Sequence, residues 1–389
     1  MAPLTQLFAL GSNGSGQLGI GHEDDVSSPQ PCTFADASFQ HLAADDTVLK
    51  IAAGGNHTLV LFSSGAVFAA GSNEFGQCGL PGSIAQTSVY RRVELYSKTS
   101  SNREHVVLFD DISATWETSV FTLGHHIYVR GQGVKGELGL GENVKQADEE
   151  KGVIVLSDPF HGSCRIEEIK SGMSHTVVLT DDGQLIGWGA ARKGQLGEES
   201  KPKKVIWTPQ KIGEPLQAAK IAVGRDFTFV AGETGRWHRL LGDPKYESDY
   251  LHDLKPFVIA NGEGTYDLTA SWSNIYALIH SDHELKGWGR NDRGQLPPKD
   301  LPKFRCVAAG SEHCVGLTID SKVVAWGWGE HGNCGQSTDA HANVAGGRWN
   351  VLPVPLSDTE EVVGVGAGCA TSFIIVSKVA HLAGTRAHQ

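Results

Sequence analysis

Residues 11–19 read GSNGSGQLG and residues 71–79 read GSNEFGQCG. The first stretch holds a literal G-x-G-x-x-G, from Gly14 to Gly19, directly after the apolar run Leu7-Phe8-Ala9-Leu10. That is how the phosphate-binding turn of a dinucleotide fold begins, but such a turn must be followed by a helix whose N-terminus meets the pyrophosphate. Gly19 is followed instead by IGHEDDVSSPQP, read as a polar loop, and Gly79 by LPGS. The stretch also keeps returning: GQGVKGELG at 131–139, GAARKGQLG at 189–197, GRNDRGQLP at 289–297 and GWGEHGNCG at 327–335, with a worn copy suggested at Gly242-Asp243-Pro244. A motif that recurs along the chain is a repeat turn before it is a ligand cradle.

A second element, a turn of small residues leading into an apolar strand, recurs seven times. Its copies are AAGGNHTLVL (52–61), SATWETSVFTL (113–123), KSGMSHTVVL (170–179), AVGRDFTFV (222–230), TASWSNIYALI (269–279), AAGSEHCVGL (308–317) and GAGCATSFII (366–375). Hairpin turns follow, at Ser63-Ser64-Gly65, at Asp181-Asp182-Gly183 and at Asp282-His283. Valine, leucine, phenylalanine and threonine dominate the runs, as strands prefer. Each unit is a small antiparallel sheet that cannot bury both faces alone, and seven stacked radially bury one another. The expected fold is therefore all-β: a seven-bladed β-propeller forming one domain over 1–389. Its blade cores lie near 51–71, 112–131, 169–189, 221–242, 268–289, 307–327, and 363–376 plus 7–11. The chain begins in mid-unit, so the N-terminal strand is expected to join the last blade and close the ring without a loose edge. Val379–Gly384 competes for that position.

Composition agrees with many short strands and tight turns. There are 48 glycines in 389 residues, 40% hydrophobic and 20% charged residues, and only 2 methionines. A net charge of -11 argues against non-specific nucleic-acid binding. No signal peptide is read in MAPLTQLFAL, and no apolar run is long enough to span a membrane. The 7 cysteines are scattered without C-x-x-C, which fits reduced thiols and gives no zinc spacing. No nucleophile elbow, H-E-x-x-H or P-loop lysine is present, so no enzyme and no cofactor are expected.

The G-x-N-x-x-G-Q-L-G element with the upstream G-x-x-H-T element resembles the regulator-of-chromosome-condensation (RCC1) repeat, over nearly the whole chain. Finer details resemble the fungal alpha-tubulin-suppressor, or killer-toxin-insensitivity, branch of that family: FALGSNGSGQLGIGHEDD, AWGWGEHGNCG, Thr115-Trp116-Glu117-Thr118 and Gly368-Cys369-Ala370-Thr371. Polar loops at 81–111 and 140–165 look like insertions relative to that branch. The resemblance implies a non-enzymatic adaptor, cytoplasmic and nuclear. Its partner would be a small cysteine-rich, iron- or zinc-carrying diphthamide-synthesis protein, bound as a heterodimer. It further implies support for diphthamide synthesis on elongation factor 2 and for Elongator-dependent wobble-uridine modification of transfer RNA, with the Elongator complex as a further partner. Neither direct nucleic-acid binding nor a membrane is implied.

Aligning the turns on Gly54–Thr58 gives a candidate site. The second position holds Gly55, Trp116, Met173, Arg225, Trp272, Ser311 and Cys369, and the third holds Asn56, Glu117, Ser174, Asp226, Ser273, Glu312 and Ala370. In a propeller these turns gather on one face. Tryptophan, arginine and methionine favour interface centres, so Trp116, Met173, Arg225 and Trp272 are expected to anchor a partner, with Glu117, Asp226 and Glu312 as charges. The alternative is that both tryptophans fold inward and plug the channel. Trp188, Trp288 and Trp326 are read as packing between blades, and Trp328 as exposed. His57, His175 and His313 recur at one repeat position, which points to a hydrogen bond made once per blade, to a neighbouring backbone, rather than to catalysis. The acidic loop His22–Asp25 lacks EF-hand spacing, and 198–204 reads as an exposed, mobile charged insertion. The competing functions are guanine-nucleotide exchange on a Ran-like GTPase, ultraviolet reception and ubiquitin-pathway scaffolding. Photoreception is disfavoured because Trp116 and Trp272 lie in non-adjacent units.

Overall fold

The strands anticipated from the repeats form, and within blades one to six each pairs with its neighbours in sequence. The structure, a computed structural model, describes residues 5–35, 46–98, 104–147, 153–155, 165–213, 217–233, 238–242 and 265–379. Within them, seven antiparallel sheets are the blades of a propeller, and one small ribbon stands apart. In each blade the innermost strand leads through the recurring small-residue turn into the second strand, as in Val48–Ala53 followed by His57–Phe62. The second strand is buried along its whole length in blades one, three, four, five and six, because sheets pack on both of its faces. Asp243 and Pro244 of the worn copy, and residues 380–384 of the competing closure segment, lie outside the described residues.

Closure falls to the N-terminal strand. Thr5–Gly11 pairs antiparallel with Thr371–Lys378 without a break, from Thr5 opposite Ser377 to Gly11 opposite Thr371. The last blade is thus built from both chain ends, in the order 26–31, 5–11, 371–378, 360–367.

The stretch after Gly19, read as a polar loop, contains the strand Val26–Pro31, paired outside Thr5–Gly11. Segment 81–111 is not a plain polar loop either. It supplies the outer strand of blade one, Gln86–Arg92, and buries Val93, Leu95, Val107 and Phe109. Within 140–165, Gln146–Ala147 and Val153–Val155 pair with the third strand of blade two. An outermost strand pairs on one edge and faces water, so it carries no apolar alternation and tolerates proline, which hides it from pattern reading. The charged stretch at 198–204 is a 3-10 turn, Glu198–Lys203, with Ser200 buried and a 2.7 Å ion pair between Glu198 and Lys201.

The first glycine of each repeat turn has a steric reason. Gly11 has φ +117°, and a Cβ there would stand 2.3 Å from the Ala370 carbonyl oxygen. Gly71, Gly131, Gly189, Gly289 and Gly327 repeat the arrangement against the turn of their own blade. Gly11→Ala is therefore expected to lower stability by about 2 kcal/mol, the scale of one residue forced into such backbone strain. A thermal melt that leaves Tm unchanged would contradict this account of the motif.

Between blades the tryptophans do as the sequence suggests. Trp188 and Trp326 are fully buried, and each indole N–H reaches back to the preceding blade's glycine turn. Trp188 donates to the Glu137 carbonyl at 2.8 Å, and Trp326 to the Gln295 carbonyl at 3.1 Å. Trp288, in the same register, is only half-buried.

Candidate functional site

The seven turns come together around the axis through their backbones. At the second turn position the N–H of five blades donates to a turn carbonyl of the next, four times to the second position and once to the first. Gly55 donates to Trp116 (2.9 Å), Trp116 to Met173 (3.1 Å), Arg225 to Trp272 (3.1 Å), Trp272 to Ser311 (3.0 Å) and Ser311 to Gly368 (3.0 Å). This chain of hydrogen bonds holds the side chains of the second position on one face, at the mouth of the axial channel. The expected residues therefore share a site, with one departure.

Trp116 and Trp272 meet. Their ring centroids lie 6.0 Å apart with the planes tilted by 44°, although they come from blades two and five. Separation in blade order was the ground for expecting no cluster, and that expectation is corrected. The second position lies next to the axis, where opposite blades are near neighbours. Both rings are half-buried, so they lean over the channel and still present surface to solvent. Met173 is half-buried beside the same mouth. Arg225 is exposed, its guanidinium 5.5 Å from the centre of the Trp272 ring and 3.8 Å from the Asp226 carboxylate. Glu117 is half-exposed. Glu312 departs from the expectation of a free rim charge. It is 6% exposed and accepts hydrogen bonds from Arg290 (3.3 Å) and from the Gln295 side chain (2.7 Å). Its carboxylate ties blade six to the glycine turn of blade five.

Below the tryptophans lies an axial cavity of about 190 Å³, walled by the innermost strands. Two lysines brace it from side to side. Lys50 reaches Asp111 (2.7 Å) and the Ile169 carbonyl (3.1 Å), and Lys170 reaches the Ile221 and Leu268 carbonyls (2.8 and 3.1 Å) and Glu168 (2.7 Å). Burial works to raise the Glu168 carboxyl, but Lys170 and Lys50 bring it net below its ordinary value. A second cavity, of about 410 Å³, is lined by Glu168, Lys170, Lys220 and Asp267. These charges escaped the sequence reading, though a signal existed. Four residues before the turn, successive copies carry Lys50, Asp111, Glu168, Lys220 and Asp267, in strands otherwise apolar there.

The recurring histidines sit behind this face and bridge blades. His57, His175 and His313 place Nε2 at 2.9, 3.2 and 3.0 Å from the hydroxyls of Ser119, Thr228 and Ser372 in the next blade. Those hydroxyls donate onward to the Gln77, Gln195 and Asn333 carbonyls. The expected neighbouring backbone is thus reached through a side chain. Each histidine is fully buried, and burial lowers its pKa to about 4. Burial likewise raises the Cys369 thiol at the channel mouth, which makes it a poor nucleophile. Among the described residues no group of three or more His, Cys, Asp or Glu side chains is placed to hold a metal ion. Trp328 is half-buried rather than free, with the Arg293 guanidinium 5.1 Å from its ring centre and His331 against its edge. Trp237 lies outside the described residues.

Comparison with known proteins agrees with the architecture. The sequence profile described as "RCC1-like domain" matches residues 6–374. An RCC1 repeat-containing protein of Schizosaccharomyces pombe is 29% identical over 383 residues, spanning 96% of this chain and 99% of the relative. The secretion-regulating guanine nucleotide exchange factor of Bos taurus is 28% identical, spanning 93% of this chain and 69% of the relative. Among solved structures, Prp20p of Saccharomyces cerevisiae superposes with a TM-score of 0.76 at 19% identity, covering 98% of this chain and 93% of that one. At that identity the likeness speaks for the fold alone.

Proposed function

We propose that this chain, which belongs to the RCC1-like domain family, is a non-catalytic adaptor that docks a partner protein on the turn-lined face. The observation that carries this reading is the Trp116–Trp272 pair. Two large aromatic rings stand together, half-buried, at the centre of a face. Aromatic anchors at the middle of a surface are where binding energy concentrates. The partner proposed is a small cysteine-rich, metal-carrying diphthamide-synthesis protein, bound as a heterodimer in cytoplasm and nucleus. The work served is diphthamide synthesis on elongation factor 2 and Elongator-dependent wobble-uridine modification. Support comes from the quoted likeness to the fungal alpha-tubulin-suppressor branch and from the full-length match to a fungal RCC1 repeat protein.

Calorimetric titration with that small protein tests the reading. Trp116→Ala or Trp272→Ala is expected to weaken binding by about thirtyfold, the equivalent of about 2 kcal/mol, with Tm held. Tight binding untouched by either change would move the site elsewhere, and no binding by the native chain would remove this partner. The second reading, nucleotide exchange on a Ran-like GTPase, is favoured by the likeness to the bovine exchange factor. Its measurement is release of a fluorescent guanine nucleotide from the GTPase on addition of this chain.

A further inference from the structure

From the surroundings of the tryptophan pair we infer that the side chain it receives is cationic: an arginine or lysine on a projecting loop of the partner protein. This rests on the docking-face reading and deepens it. The chain already makes the proposed contact within itself. Arg225 holds its guanidinium 5.5 Å from the Trp272 ring centre while remaining half-exposed to water. A guanidinium that water could fully hydrate settles there because the indole face attracts positive charge, and Asp226 at 3.8 Å adds the counter-charge. Blade two carries a tryptophan and a carboxylate but no cation, with Glu117 in the register of Asp226, whereas Trp272 is followed by Ser273. Trp116 stands in the same register as Trp272 and is followed at once by the carboxylate of Glu117. Glu117 makes no side-chain hydrogen bond or ion pair among the described residues.

Where blade four offers Arg225 to the next blade's tryptophan, blade one offers Gly55 to Trp116. A Cβ on Gly55 would come within 2.6 and 2.7 Å of the Trp116 ring, so the indole is seated against the glycine backbone. No neighbouring side chain of this register supplies a positive charge to Trp116. A net charge of -11 over the whole chain favours the approach of a basic partner surface. An indole and a carboxylate on consecutive residues of one turn favour a cation over a neutral side chain of the same shape, since only the cation can gain from both.

The test uses the full chain and short capped peptides, acetyl-Gly-Arg-Gly-amide and its citrulline counterpart, which keeps the shape and removes the charge. The Trp116 and Trp272 indole N–H resonances, assigned from Trp→Phe variants, report binding. The arginine peptide is expected to shift both and to bind about fivefold more tightly than the citrulline peptide, with Glu117→Gln removing that preference. Gly55→Ala, which displaces the Trp116 ring without deleting it, is expected to weaken the arginine peptide, with folding checked by Tm. Equal binding of the two peptides, or preference for acetyl-Gly-Glu-Gly-amide, overturns the inference. So does sedimentation showing that the face is occupied by a second copy of this chain. Loss of the cysteine-rich partner in Trp116→Ala alongside equal binding of the two peptides would leave the docking face standing and refute only its charge preference.

Discussion

Stability is expected to fall steeply as pH drops from 6.5 to 4, and three buried histidines are the reason. His57, His175 and His313 have pKa values lowered from the ordinary 6.5 to about 4 by burial. In the unfolded chain each takes a proton near pH 6.5, whereas in the folded chain it does so only near pH 4. Between those values the unfolded state binds more protons, so stability is intact above pH 6.5 and drains away as pH falls through the window. At 1.36 kcal/mol per pH unit each histidine removes about 3 kcal/mol, and the three together about 10 kcal/mol. That equals the whole stability of many domains, so the propeller is expected to unfold before pH 4 is reached.

The geometry explains the resistance to protonation. The partner hydroxyls of Ser119, Thr228 and Ser372 spend their hydrogens on backbone carbonyls, so each accepts from its histidine Nε2–H. Nδ1 of all three rings is buried with no hydrogen-bond partner, and an added proton there would be an orphan donor carrying charge. Glu137 works in the opposite sense. Burial raises its pKa, so it lends stability as pH falls and offsets part of the loss. Urea midpoints at successive pH values from 7 to 4.5 measure the effect. His175→Gln should be less stable at pH 7 yet lose about a third less on acidification. A flat stability profile from pH 7 to 4.5 would refute the assignment.

Removing an inter-blade tryptophan is expected to be the most costly single substitution in the core. Trp326 is fully buried against Phe304, with ring centres 5.9 Å apart, and Trp188 holds the same register three blades earlier. Trp326→Ala should cost about 3–5 kcal/mol from lost burial and the cavity left behind. It also removes one of two donors to the Gln295 carbonyl, which keeps the Tyr276 hydroxyl at 2.9 Å, so the lost hydrogen bond adds only about 1 kcal/mol. Trp326→Phe keeps much of the volume and loses only the bond and part of the fill, so it should fall well below Trp326→Ala. Trp349, half-buried at the edge of the same core, is the control and should cost less. Denaturant unfolding of the three variants checks the order. A loss under about 1 kcal/mol for Trp326→Ala would mean that blades six and five do not depend on this contact.

How much of the site could be read in advance depended on position in the repeat. Register alone brought Trp116, Met173, Arg225 and Trp272 to one face, because equivalent positions of a closed repeat must share a rim. It misassigned Glu312. Nothing in the identity of that residue tells that Arg290 and Gln295 of the preceding blade will claim its carboxylate. Contacts between blades join residues whose partners are set by the width and twist of the sheets rather than by their place in the motif.

By its own pattern, the sequence determined the class and count of the fold. The glycine turns recur because Gly11 and its equivalents adopt φ values and close approaches that a Cβ forbids, and the apolar runs recur because each blade buries the next. For the closing strand it offered two candidates, the N-terminal strand and Val379–Gly384, and the pairing of Thr5–Gly11 with Thr371–Lys378 decided for the first. Only the tertiary structure decided the outer strands, whose one-sided pairing leaves no apolar period. Only it decided the lysine braces across the channel, and the meeting of Trp116 with Trp272. Those two residues lie three blades apart in the chain and 6.0 Å apart at the rings, because a ring closed about an axis brings its opposite members together at the centre.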